Sequence, residues 1–169
     1  RALMLLRLST LCTGRTGVRP VVVETYAKAL NAGIVPVVRE YGSLGCSGDL
    51  APLAHCALAL LGEGEVRVNG ELQDAGSALA AAGIEPLQLR EKEGLALING
   101  TDGMLGQLCL AITDLRAAAK TADIATAMTV EGLLGTLVVF ADDLQQLRPH
   151  PGQAAAAANI LQVAEGSQI

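Results

Sequence analysis

Apolar positions recur along this chain with the period of a helix far more often than with that of a strand. Leu3, Leu6, Leu8 and Leu11 predict a helix from Arg1 to about Leu11, read as the end of a longer one. Thr13-Gly14-Arg15-Thr16-Gly17 breaks it, Pro20 opens a second helix from about Val21 to Ala32, and Gly33 closes that one. Val35 to Val38 is extended. A third helix, about Leu50 to Leu61, ends at Gly62-Glu63-Gly64. Glu65 to Val68 and Glu71 to Gln73 flank Asn69-Gly70, a pair suited to a tight hairpin turn because both positions tolerate positive φ. Asp74 is placed to cap a short Ala-rich helix over Ala75 to Ala82, and Ile84 to Arg90 reads as a surface connection. From about Glu91 the pattern stays helical, with Leu105, Leu108, Cys109, Ile112 and Leu115 forming one stripe. Ala117 to Ala127 and Val130 to Leu144 continue it. After Pro149 and Pro151, Ala154 to Val163 forms the last helix.

These elements predict an all-α architecture with one small β-hairpin at about 65–73 and core helices over about 91–169. No linker is long or polar enough to divide residues 1–169, so a single domain is expected. Composition agrees. The chain is 51% hydrophobic but only 2% aromatic, so its core is built from Ala, Leu, Val and Ile, which suits closely packed helices better than a β-sandwich. A net charge of −5 argues against a nucleic-acid or anionic-membrane surface. The longest apolar run, Leu50 to Gly62, is interrupted by Pro52 and His55 and falls short of a bilayer span. No secretory signal pattern is present, and a cytoplasmic location is expected. Cys12, Cys46, Cys56 and Cys109 lack C-x-x-C and zinc-ligand spacing, so no metal is expected and the thiols are read as reduced, mostly core-filling groups.

The densest candidate chemistry lies in Gly42-Ser43-Leu44-Gly45-Cys46-Ser47-Gly48-Asp49-Leu50-Ala51-Pro52-Leu53-Ala54-His55. In a bent loop the amide nitrogen of Gly48 can attack the carbonyl carbon of Cys46 and close a five-membered ring. Glycine has no Cβ to block that approach. Loss of one water gives an imidazolone, and loss of a second from Ser47 leaves an exocyclic methylidene, an electron-poor alkene. Asp49 is a good N-cap for the helix that follows, and Pro52 is tolerated in its first turn. On spacing alone a plain turn before a helix is the commoner explanation. A serine elbow needs G-x-S-x-G, and Asp49 breaks that pattern. The glycines do not form G-x-G-x-x-G. Asn99, inside an apolar run beside Gly100, is on spacing either an ordinary helix or turn amide or a site residue. His55 on an apolar helix reads as a hydrogen-bonded core histidine, and Glu91, Lys92 and Glu93 as a solvated helix start.

Three segments together carry a family resemblance. Gly42 to His55 resembles the signature of the aromatic amino acid ammonia-lyases. Lys92-Glu93-Gly94-Leu95-Ala96-Leu97-Ile98-Asn99-Gly100-Thr101 and Arg148-Pro149-His150-Pro151-Gly152-Gln153 are similar to two further segments of that family, in the same order and spacing. The resemblance covers essentially the whole chain. Leu50 to His55 and Asn99 to Gly106 look most like its bacterial, actinobacterial-type histidine branch. The resemblance implies an antiparallel helical bundle segment of the ammonia-lyase fold. It implies that Cys46, Ser47 and Gly48 form 4-methylidene-imidazol-5-one (MIO), with Asn99 beside it and Asp49 positioning the loop. His55, and Gln153 with His150, are implied as supporting groups that bridge helices near the site.

The implied reaction is non-oxidative deamination of L-histidine to urocanate and ammonia in a homotetramer. Tyrosine or phenylalanine ammonia-lyase or aminomutase activity, and a non-catalytic helical remnant, are the alternatives. Two positions depart from the family's pattern: Cys46 replaces the usual Ala, and Asp102 stands where many histidine enzymes carry Gln. The family is also considerably longer, so the chain is read as an internal piece that supplies the electrophile without the tyrosine base.

Overall fold

Helices form where the periodicity places them, and their ends follow local chemistry. The computed structural model describes residues 1–169, arranged as two compact units, Arg1–Leu110 and Ala111–Ile169. In the first unit, α1 spans Ala2–Cys12 and α2 spans Pro20–Asn31, with Pro20 supplying a preset φ in the first turn. Helix α3 covers Leu50–Leu60 and α4 covers Ala75–Ala81. Asp74 caps α4 by accepting from the Ser77 amide at 2.9 Å, as expected. Met4, Leu11, Val22, Tyr26, Leu60 and Leu79 are buried in one apolar cluster. Cys56 joins them, and burial pushes its thiol up to about 12, so it stays protonated and inert. Cys12, Cys46 and Cys109 are exposed, so core filling describes Cys56 alone.

The expected hairpin is present as β2 (Glu65–Val68) and β3 (Glu71–Asp74), joined by Asn69 at φ 52° and Gly70 at φ 90°. It is the larger part of a three-stranded antiparallel sheet. A short strand, β1 (Val35–Pro36), pairs with β2 in the register Val35 to Arg67 and Pro36 to Val66. The extended segment before the glycine-rich loop thus satisfies its backbone groups on a hairpin some thirty residues further along. Residues 84–90 are also more than a surface connection. Ile84 and Leu87 are buried, and the Leu87 amide donates to the Leu60 carbonyl at 2.8 Å.

The helix expected to run on from Glu91 is interrupted. Helix α5 spans Glu93–Ile98, Asn99 is extended at φ −104° and ψ 102°, and α6 begins at Asp102 and runs to Gly132. Glu93 is buried, not solvated. It accepts from Arg19 Nε and Nη2, both at 2.8 Å, and from the Arg19 and Arg90 amides. The Arg19 guanidinium holds its carboxyl down at about 2. These bonds anchor the start of α5 against α2.

In the second unit, α6 is followed by a 3-10 helix over Leu137–Phe140, by α7 (Asp142–Gln146) and by α8 (Pro151–Val163). The helical stretch expected over Val130 to Leu144 is therefore broken. Leu134 takes φ +54°, its amide bonds to Glu131, and the Gly135 amide returns to the Val130 carbonyl at 2.7 Å. This is a helix-terminating pair of bonds that needs one left-handed residue. A Cβ on Gly135 would lie 3.1 Å from the Val130 carbonyl oxygen, so glycine permits the close return.

Leu105, Leu108, Ile112 and Leu115 of α6 are all exposed. The α5–α6 stretch, Glu93–Gly132, also contains an 18-residue window with mean hydropathy 1.3, so by length and composition it is apolar enough to cross a membrane. That corrects the expectation drawn from uninterrupted runs, because a window average tolerates the isolated charges that end a run. Core helices of soluble proteins pass the same test.

Candidate active site

The Cys46-Ser47-Gly48 tripeptide sits in a loop that its own polar groups fold back. Gly42, Gly45 and Gly48 take φ of 121°, 63° and 73°, values that L side chains rarely adopt. Asp49 follows at the N-cap position of α3 but makes no capping bond. Its carboxylate turns back instead, accepting from Ser43 Oγ and from the Leu44 amide at 2.9 Å. The reason is local: the positive-φ glycines curl residues 43–48 so that otherwise unpaired donors face the carboxylate. Asp49 is buried, and the Ser43 hydroxyl and the Leu44 and Gly45 amides hold its carboxyl below the usual carboxylate range. Cys46 and Ser47 stay exposed at the loop's outer side, immediately before α3.

Asn99 comes to this loop from the break between α5 and α6. Its side-chain oxygen lies 3.4 Å from where a Cβ on Gly48 would stand. The structure therefore brings together Gly48 and Asn99, positions 51 apart in sequence, with nothing but hydrogen on the glycine between the carboxamide and the loop backbone. These residues fit an MIO group. The residue whose nitrogen would close the ring is a glycine held in a left-handed conformation, the serine that would lose water is accessible, and the Asn99 carboxamide faces Gly48.

Behind Asn99 lies a buried ion pair that the sequence reading did not single out. Arg7 Nη1 donates to the Asn99 carbonyl at 2.7 Å and lies 3.2 Å from Asp102 Oδ2. Thr10 Oγ1 sits 3.5 Å from Asp102 Oδ1. Arg7 and Asp102 are 3% and 6% exposed, so the pair is buried. A Cβ on Gly100 would overlap both Arg7 Nη1 and Asp102 Oδ2. The sequence signal was available: Met4, Arg7 and Leu11 share one face of α1, and a charge on a buried face requires a buried partner.

Of the expected supporting residues, His55 lies on α3, Gln153 on α8 and His150 at the N-cap of α8. His55 is half-buried, and its Nδ1 accepts from the Arg39 amide at 3.3 Å, tying the chain after β1 to α3. Gln153 does bridge helices, donating to Gln145 Oε1 at 2.8 Å between α8 and α7, all within the second unit. His150 is exposed at the N-cap of α8 and makes no capping bond, so the bridge falls to Gln153. No cluster of three or more His, Cys, Asp or Glu gathers in the chain.

Known proteins extend this picture. The chain is 64% identical over its full length to a histidine ammonia-lyase of Streptomyces coelicolor and 50% identical to one of Gloeobacter violaceus, and it spans about a third (33%) of each. Among solved structures, histidine ammonia-lyase from Trypanosoma cruzi superposes with a TM-score of 0.83 at 42% identity, covering 94% of this chain and 31% of that one. Tyrosine aminomutase from Streptomyces globisporus superposes with a TM-score of 0.85 at 44% identity, covering 98% and 31%. The aromatic amino acid lyase family matches residues 1–169 without remainder, and the chain belongs to that family.

Proposed function

We propose that this chain is the central portion of a longer ammonia-lyase that converts L-histidine to urocanate and ammonia. The observation that carries the reading is the placement of Asn99 against Gly48 in a loop clamped by Asp49. MIO, formed from Cys46, Ser47 and Gly48, would supply an electrophilic alkene that activates the substrate for loss of ammonia. The chain's own residues do the rest of the work available to them. Asp49 and Ser43 hold the loop bent, which would favour approach of the Gly48 nitrogen to the Cys46 carbonyl. Asn99 presents its carboxamide oxygen to Gly48, and with the amide turned over its N–H would stabilise negative charge on the neighbouring ring oxygen. Cys46 contributes its carbonyl, and its thiol remains a substituent. His55 ties the chain after β1 to α3, and Gln153 joins α8 to α7. The tyrosine base belongs to a part of the protein outside this chain.

Histidine is favoured over tyrosine and phenylalanine because the Streptomyces coelicolor relative at 64% identity is a histidine ammonia-lyase, whereas among solved structures a histidine ammonia-lyase and a tyrosine aminomutase are alike at 42% and 44%. The fold does not separate them, since their TM-scores differ by little. The exposed apolar side chains of α6 suit burial against further copies, in keeping with a homotetramer. A cytoplasmic setting is part of this proposal and is in keeping with the likeness to bacterial histidine ammonia-lyases. Two measurements on the full-length protein test the proposal. Intact mass should fall short of the encoded mass by two waters, about 36 Da, and urocanate should accumulate with histidine but not with tyrosine or phenylalanine. An unmodified mass in a folded protein would leave the helical remnant as the better account.

A further inference from the structure

We propose that Arg7 is a positioning residue that sets Asn99 against the ring-forming peptide. This rests on the ammonia-lyase reading above for its chemistry, and on geometry alone for its placement. Arg7 Nη1 spans the α5–α6 break: it donates to the Asn99 carbonyl at 2.7 Å and forms an ion pair with Asp102 Oδ2 at 3.2 Å, an oxygen that is buried without a hydrogen-bond partner. The bond holds the Asn99 carbonyl, and the ion pair lies at the first residue of α6. Gly100 lies between them with no room for a side chain. The Asn99 carboxamide therefore points at Gly48 because its backbone is pinned from behind, not because anything in the loop holds it. Arg7 itself occupies the buried face of α1 beside Met4 and Leu11, so the pin is mounted on the apolar core.

A purely stabilising role fits less well. A purely stabilising ion pair does not need a backbone carbonyl as its second acceptor. Nor is the guanidinium saturated there: Arg7 Nε is buried without a hydrogen-bond partner. A pair selected for strength alone would engage that donor too.

The test uses the full-length enzyme. Replacing both charges, Arg7→Met with Asp102→Asn, leaves neither one buried alone and so preserves folding. Hydrogen exchange at residues 99–105 is expected to quicken about tenfold or more while residues 50–60 stay unchanged, because only the break loses its anchor. Turnover should drop about tenfold or more with KM changed less than about threefold, the mark of an interaction used during reaction. In an Asn99→Ala background the same double replacement should change kcat less than about twofold, since its effect runs through Asn99. Arg7→Lys, which keeps the charge and one donor to the Asn99 carbonyl, should restore part of the exchange protection.

Unchanged exchange at 99–105 overturns the proposal, as do kcat losses that multiply with Asn99→Ala. Loss of the two-water mass change in the double replacement alone also overturns it, by placing Arg7 in ring formation. If the parent protein itself lacks that mass change, the ammonia-lyase reading fails instead, and the exchange measurement still decides whether Arg7 holds Asn99.

Discussion

Asp49 and Glu93 are carboxylates at the starts of helices, and neither behaves as a simple surface charge. Asp49 leaves its helix uncapped and binds Ser43 and the Leu44 amide. Asp49→Asn keeps the size but loses the charge that makes those bonds strong. The expected outcome in the full-length protein is slow or incomplete loss of two waters, read by intact mass over time after synthesis. Complete and prompt loss would remove the clamp from the account of the loop. Glu93 gives a pH signature. Its carboxyl is held at about 2 against an ordinary value of 4.5. A depressed folded value stabilises the fold fully above the ordinary value, and that contribution fades as pH falls from 4.5 towards about 2. Glu93→Gln should therefore cost about 1–3 kcal/mol at neutral pH, the range for a hydrogen bond to a charged group. It should also flatten the decline in urea midpoint over that acid window. A variant whose midpoint tracks the parent's through the window would show that Glu93 is not the group responsible.

Elements were legible in the sequence where their signals are local. The α1–α4 helices, the Asn69-Gly70 turn and the Asp74 cap all follow from spacing and from residues within one or two turns. What escaped was set by distant partners. Strand β1 exists because β2 offers it unpaired backbone groups, and the break at Asn99 exists because Arg7, 92 positions away, takes its carbonyl. No window of apolar periodicity contains that information. For the candidate site, the tripeptide, Asn99 and a loop-positioning Asp49 came with the motif resemblance, whereas the absence of an Asp49 cap on α3 required the loop's actual curvature. The end of α6 lies between these cases, since Gly132 and Gly135 are stop signals that the apolar pattern outweighed. Its geometry yields a sharp expectation. Leu134 is exposed and sits at φ +54°, a conformation that disfavours a side chain by roughly 1–2 kcal/mol. Leu134→Gly relieves that strain at some cost in chain entropy and should stabilise the second unit by about 0.5–1 kcal/mol. Chemical denaturation reads the gain directly, and a loss of stability would mean that Leu134 is held by contacts in the assembled protein that outweigh its backbone strain.

At the scale of the molecule, the outstanding feature is apolar surface on α6 that this chain leaves uncovered. Leu108 is 51% exposed and Leu115 65% exposed, on the same stripe as Leu105 and Ile112. A 31-residue helix with so little of its apolar stripe covered is not stable in water by propensity alone. Further protein must cover it, either from the rest of the polypeptide or from other copies, and the proposed homotetramer takes the second course. Leu108→Glu and Leu115→Glu each place a charge where an interface would exclude water, at a cost far above that of an exposed substitution. In the full-length protein either change should shift the species seen by light scattering from tetramer to smaller assemblies. Turnover should fall with it if the proposed tetramer is the active species. If assembly and turnover both survive the two substitutions together, the stripe is covered from within the same polypeptide. The second unit would then be the place to look for the covering segment's docking face, since Ile124 and Met128 there are exposed as well.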